Sequence, residues 1–350
     1  MKKLVKILVP FLALSATVLS GCKKEDTRVL LSFGDVHATE SASITVTRLV
    51  EITESKENFL LVVTTSTCAC WSYGFKPVLN KYISDTKALC YQIDYEKIQD
   101  HASNFGLDYI TSSTTTFAIF ENGVLKTTIN TTKNGNIMED DKKFAQYMDE
   151  NVILPSCYFI NKEDIENIKT SGKNAVIYFE RTSCGDCQAL NPTLLRSYIK
   201  AHPNMNKLYV FDCQPYYRKK TDEDYQSYVD VKHELGLSNV NNPIYGFNDG
   251  VFPFFSYIEN GAYASGAVVY NERISKVDEK YYVTGSYYTN ERVPSLQYTD
   301  IVLEGKEVPV EELNISETRA IWKEEFVNKA YEPIVNSFLD YALEKVTYNF

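Results

Sequence analysis

The stretch Tyr178-Phe-Glu-Arg-Thr-Ser-Cys-Gly-Asp-Cys-Gln-Ala-Leu-Asn-Pro192 joins two kinds of periodicity. Leading into it, Ala175-Val-Ile-Tyr-Phe179 is an apolar run with the length and composition of a buried strand. Beyond it, Leu190, Leu194, Leu195 and Ile199 recur on one face of a helix. Between strand and helix lie Cys184-Gly-Asp-Cys187, so the strand delivers two cysteines to the first turn of the helix. Unsatisfied backbone N–H groups and the positive end of the helix dipole favour a thiolate there.

Downstream, Gly250-Val-Phe-Pro-Phe-Phe-Ser-Tyr-Ile-Glu-Asn-Gly261 carries Pro253 into an apolar strand that closes on an Asn-Gly hairpin signal. The ordered set of strand, C-x-x-C pair, Pro192, second strand and Pro253 resembles the thioredoxin family. That resemblance implies Pro192 as a helix-kinking proline and Pro253 as a cis-proline. It makes Cys184 the attacking sulfur and Cys187 the resolving one. The backbone at Phe252 would pair with an extended substrate strand. The sequence departs from the family at three places. Tyr178 stands where the family buries an Asp, Ser183 replaces the Trp before the first cysteine, and Phe252 is bulkier than the usual residue there.

At 350 residues the chain has room for roughly two domains. Its start reads as a targeting segment: Lys2, Lys3 and Lys6 are followed by an apolar stretch from Leu4 to Leu19. Leu19-Ser-Gly-Cys22 resembles the lipobox of bacterial lipoproteins, which implies cleavage before Cys22 and lipidation of its sulfur. An ordinary signal peptide or an uncleaved anchor is the alternative, and each leaves the folded part outside the cytosol. The chain carries 46 acidic against 36 basic residues, for a net charge of −10. Cleavage before Cys22 takes away three lysines and no acidic residue, and no basic patch remains to attract nucleic acid or anionic lipid. Membrane attachment would come from the lipid.

Eight cysteines are present, at 22, 68, 70, 90, 157, 184, 187 and 213. With Cys22 lipidated an odd number remains, so at least one is free or pairs with another molecule. None of the four histidines stands near the C-x-x-C at zinc-finger spacing, and neither metal nor cofactor is expected. Cys90, Cys157 and Cys213 read as small buried hydrophobes.

The first half of the chain can be laid over the second. Cys68 and Cys184, Tyr82 and Tyr198, and Ile83 and Ile199 are offset by one common interval. Phe120-Glu-Asn-Gly123 matches Ile258-Glu-Asn-Gly261. An internal repeat of a whole domain explains this, giving an α/β chain of two tandem thioredoxin-like domains, each a central mixed sheet flanked by helices. The expected division is a signal peptide over 1–21, a solvated tether over 22–40, a degenerate domain over 41–152 and a domain with the C-G-D-C site over 153–350. The second domain carries a tyrosine-rich β insertion to about residue 300 and a long C-terminal helix from Ile321 to Val346. A long loop over 238–250 lies close in sequence to Pro253 and is more often functional than idle at such a place.

In the first domain the cysteines read C-A-C, and Thr115 stands where the second has Pro253. Three readings of Cys68 and Cys70 stay open: a structural relic, a C-x-C redox site with a strained, easily reduced disulfide, or a Cu(I) thiolate pair. In the second domain Gly185, Asp186, Glu180 and Pro192 are the residues that tune the cysteines. The carboxylates of Asp186 and Glu180 oppose a thiolate and push the couple toward the reducing end. Glu180 could accept a proton from Cys187, although a carboxylate at a strand end is ordinarily solvated.

The expected function is a lipid-anchored, extracytoplasmic thiol–disulfide oxidoreductase, leaning to reductase or isomerase. Its partners would be disulfide-containing secreted or envelope proteins and an electron donor that the sequence does not name. The competing class is a redox-inactive surface module presenting the 238–250 loop and the tyrosine-rich insertion.

Overall fold

A computed structural model describes residues 26–65, 68–217, 230–231, 233–235, 252–277, 280–289, 299–302 and 324–350. Residues 1–25, the 238–250 loop and most of the expected helix from Asp222 to Leu235 lie outside the described residues. Among the described residues no helix is long and apolar enough to cross a membrane.

The described chain opens with two short strands, β1 (Val29–Leu30) and β2 (Gly34–Asp35). This corrects the solvated tether. Val29, Leu30 and Leu31 are buried, and Asn58 donates to the Leu30 carbonyl at 2.6 Å. The run Val29-Leu-Leu31 followed by Phe33 is too apolar to remain in water, and its backbone pairs with neighbouring strands. β1 runs parallel to β8 (Val152–Ile153), and β2 parallel to β9 (Cys157–Phe159).

The first domain's sheet has the order β3 (Ala42–Ser43), β5 (Cys90–Asp94), β4 (Phe59–Thr64), β6 (Thr116–Glu121), β7 (Val124–Asn130). The first three are parallel, β6 is antiparallel to β4, and β7 is antiparallel to β6. β4 is buried along its whole length because its alternating side chains feed two cores. Leu60 and Val62 pack with Trp71, Phe75 and Leu79, while Phe59, Leu61 and Val63 pack with Leu49, Ile52 and Ile98.

The second sheet repeats that order and those directions. It runs β9, β11 (Leu208–Asp212), β10 (Ala175–Glu180), β12 (Phe254–Glu259), β13 (Ala262–Val277), with β2 added outside β9. Strands β14 (Lys280–Thr289) and β15 (Thr299–Val302) extend it beyond β13, so the tyrosine-rich insertion widens the sheet. The C-terminal helix covers Glu324–Leu343 and buries Val335, Phe338, Leu339 and Ala342 against Tyr178 and Phe255 of the sheet.

The repeat shows in its turns. Asn122-Gly123 and Asn260-Gly261 both take positive φ, the two-residue hairpin geometry that Asn-Gly favours. A Cβ on Gly123 would lie 2.1 Å from the Thr53 carbonyl oxygen, and one on Gly261 would lie 2.0 Å from that of Lys169. Each turn thus leans on the end of its domain's first helix, Val46–Glu54 or Lys162–Thr170. Asn58 and Asn174 occupy equivalent places and accept the N–H of Asn122 and Asn260 at 2.6 and 2.9 Å.

Candidate active site

The second-domain site forms where β10 ends. Arg181 to Ser183 make a short connection, and Cys184 caps the helix Gly185–Leu190 in an extended conformation. The connection is pinned from the side by β11 and the turn after it. The Thr182 hydroxyl donates to Asp212 at 2.6 Å, the Ser183 N–H donates to the Gln214 side chain at 2.9 Å, and the Arg181 guanidinium stacks 3.9 Å from the Tyr217 ring centre. Pro192, which has no N–H to donate, lies in a π-helical turn, Asn191–Leu195, that carries this helix into Arg196–Ala201.

Both cysteines are reduced thiols. Cys184 keeps 8% of its surface exposed and Cys187 1%. The expected exposed sulfur is therefore mostly covered. Phe252, itself buried, shares its apolar cluster, and the Cys184 thiol donates to the Phe252 carbonyl at 3.7 Å. The Phe252–Pro253 peptide is cis and leads directly into β12. Burial raises the Cys187 thiol far above the ordinary range, and hydrogen bonding and repulsion from Cys184 add to it. Gly185 occupies the first turn; the Asp186 side chain lies outside the described residues, as does Cys22.

Glu180 is not solvated. It is 5% exposed, and its carboxyl is pushed up to about 7 by burial, with repulsion from Asp212 and Cys184 adding to the rise. Asn191 donates to it and partly offsets the rise, while the Tyr178 hydroxyl donates to the other end of Asn191 at 2.7 Å. Tyr178 and Glu180 stand two apart on β10 and so share a face of the sheet. Asn191 is not among the candidate site residues of the sequence. Its signal was there: it follows Cys187 by one helical turn, a polar side chain on a face otherwise set by leucines.

In the first domain Cys68 and Cys70 form a disulfide and are half-buried. The sulfurs are bonded to each other, which leaves no thiolate pair for Cu(I) in this state. Thr115 directly precedes β6, as Pro253 precedes β12, and its hydroxyl lies 3.5 Å from Cys70 Sγ. Cys90, Cys157 and Cys213 are buried thiols.

No protein-family model matches the chain, and no curated protein matches it. Among solved structures it is similar to human ERp44 form I at 12% identity, over 63% of this chain and 49% of that one, with a TM-score of 0.33. It is similar to full-length ERdj5 at 9% identity, over 64% and 29%, with a TM-score of 0.25. A chain from a structure of the thiol-resolving mechanism in yeast mitochondrial 1-Cys peroxiredoxin via glutathione/thioredoxin systems is 15% identical over 32% and 97%, with a TM-score of 0.25. The present chain spans about half the length of the ERp44 chain and under a third of ERdj5. Strand order and direction, repeated in two sheets, give the chain two α/β units of thioredoxin-like fold in tandem.

Proposed function

We propose that the chain is a thiol–disulfide oxidoreductase acting through Cys184 and Cys187. The observation that carries this reading is the pairing of a helix-capping thiol with the Phe252 carbonyl just before β12, with a second thiol one turn into the same helix. The Cys184 thiolate attacks a substrate disulfide, forming a mixed disulfide and releasing one substrate thiolate. Cys187 then loses its proton and attacks Cys184 Sγ, releasing the second substrate thiolate and closing the Cys184–Cys187 disulfide. Two electrons pass to the substrate, and an external dithiol must restore the pair.

The substrates we assign are disulfide-bearing secreted or envelope proteins, met outside the cytosol by a chain anchored through a lipid on Cys22. Insulin reduction with dithiothreitol as donor tests the chemistry. Wild-type activity abolished by Cys184→Ser supports the oxidoreductase. Equal inactivity of both proteins, with the fold intact, points instead to a redox-inactive binding module.

A further inference from the structure

The two cysteine pairs meet chemically opposite partners. In the second domain the residue before β12's proline offers Cys184 a carbonyl oxygen, an acceptor that suits a protonated thiol. In the first domain the residue before β6 offers Cys70 a hydroxyl at 3.5 Å. A disulfide sulfur carries no hydrogen, so with Cys68 and Cys70 bonded the Thr115 hydroxyl must be the donor. The same O–H is placed to stabilise negative charge on Cys70 when the bond opens. Thr115 is fully buried and held by its backbone: its N–H donates to the Thr131 hydroxyl at 3.1 Å, and its carbonyl accepts from the Thr131 N–H at 3.0 Å. Cys70 starts a π-helical turn, Cys70–Phe75, that continues into the helix Lys76–Thr86 and carries no acidic residue in its first turn. The Glu139 carboxylate lies beside Gly74, a turn further on. Both cysteines keep solvent-accessible surface, unlike the largely buried second pair.

We propose that Cys68–Cys70 is a second thiol–disulfide exchange centre, an acceptor of electrons from dithiols, with Thr115 as the donor to the departing Cys70 sulfur. A thiolate of the incoming dithiol attacks Cys68 Sγ. The new S–S bond forms as the Cys68–Cys70 bond breaks, and the electron pair stays on Cys70 Sγ as a thiolate, to which the Thr115 O–H donates a hydrogen bond. The dithiol's second thiol loses its proton to water and attacks the mixed disulfide at its own first sulfur. Cys68 leaves as a thiolate and is protonated. The dithiol is oxidised by two electrons and the pair is reduced by two.

The test uses the full chain carrying Cys184→Ser and Cys187→Ser, so that its failure leaves the insulin result for the second domain untouched. The folded protein is exposed to dithiothreitol, quenched with N-ethylmaleimide and digested, and labelling of Cys68 and Cys70 is read by mass spectrometry. The expected result is reduction many times faster than global unfolding, slowed at least about threefold by Thr115→Val and restored by Thr115→Ser, with the alkylation profile of Cys70 moved to higher pH in the valine variant. Labelling that appears only at the rate of unfolding would make the disulfide a structural staple and overturn the proposal. Rapid reduction indifferent to Thr115→Val would overturn the role of the hydroxyl.

Discussion

Asn191 is hydrogen-bonded through its side chain to Glu180, the buried carboxyl that ends β10, one helical turn beyond Cys187. The pair sets a charge close enough to Cys184 for each to raise the other's cost of ionising. Glu180→Gln keeps an acceptor for Asn191 and removes that charge. Above about pH 7, where the wild-type carboxyl is ionised, the variant's Cys184 is expected to react with iodoacetamide up to about tenfold faster. Toward lower pH the two proteins converge. Superimposable rate profiles across the whole range would dismiss the coupling.

The same carboxyl makes stability depend on pH. Its folded value of about 7 lies above the ordinary 4.5, so the folded state holds the proton more tightly than the unfolded one. The contribution is complete below about 4.5 and is lost as pH rises through about 7, a change on the order of 3 kcal/mol. Urea denaturation at successive pH values reads it directly. Glu180→Gln is expected to flatten this part of the curve, and an unaltered curve in the variant assigns the dependence elsewhere.

Phe252 is buried in the same apolar cluster as the attacking sulfur. Phe252→Ala is expected to speed alkylation of Cys184 while costing about 3 kcal/mol of stability for the lost ring. A stability loss without faster alkylation would mean that some other group shields the thiol.

A carbonyl acceptor and a nearby carboxylate both favour the protonated Cys184 over its thiolate. A thiolate less favoured in the reduced state makes the dithiol the better reductant. Equilibration with dithiothreitol is expected to place the Cys184–Cys187 couple nearer about −270 mV than about −120 mV. A value at the oxidising end would reverse the reductase assignment.

Asn58 and Asn174 fasten the hairpin turns, and Asn58 also holds the first strand of the chain through the Leu30 carbonyl. Replacing either with Ala leaves a turn N–H without its acceptor, at about 1–3 kcal/mol. Asn58→Ala is expected to be the costlier, being 1% exposed and doubly engaged. Thermal melts of the two variants decide the order.

Much of the fold was legible because its signals are local. The apolar run at Ala175–Phe179, the leucines after Cys187 and the two Asn-Gly turns each state their own structure within a few residues. Residues 29–36 read as a short mixed segment because the partners that make them strands lie far along the chain. β1 is completed only by residues 152–153, and β2 only by β9. Glu180 reads as solvated and is buried for a related reason. Nothing beside it in the sequence shows that Asn191 and the end of β11 will close over a strand terminus.

By itself the sequence determined that a strand hands two cysteines to a helix start, twice, because periodicity and turn chemistry act between near neighbours. Only the tertiary structure decided the environment of those sulfurs: a carbonyl and a buried carboxyl around Cys184, a hydroxyl against Cys70. Whether a thiol, a thiolate or a carboxyl is the stable form depends on the dielectric and dipoles that packing brings around it, and residues distant along the chain supply both.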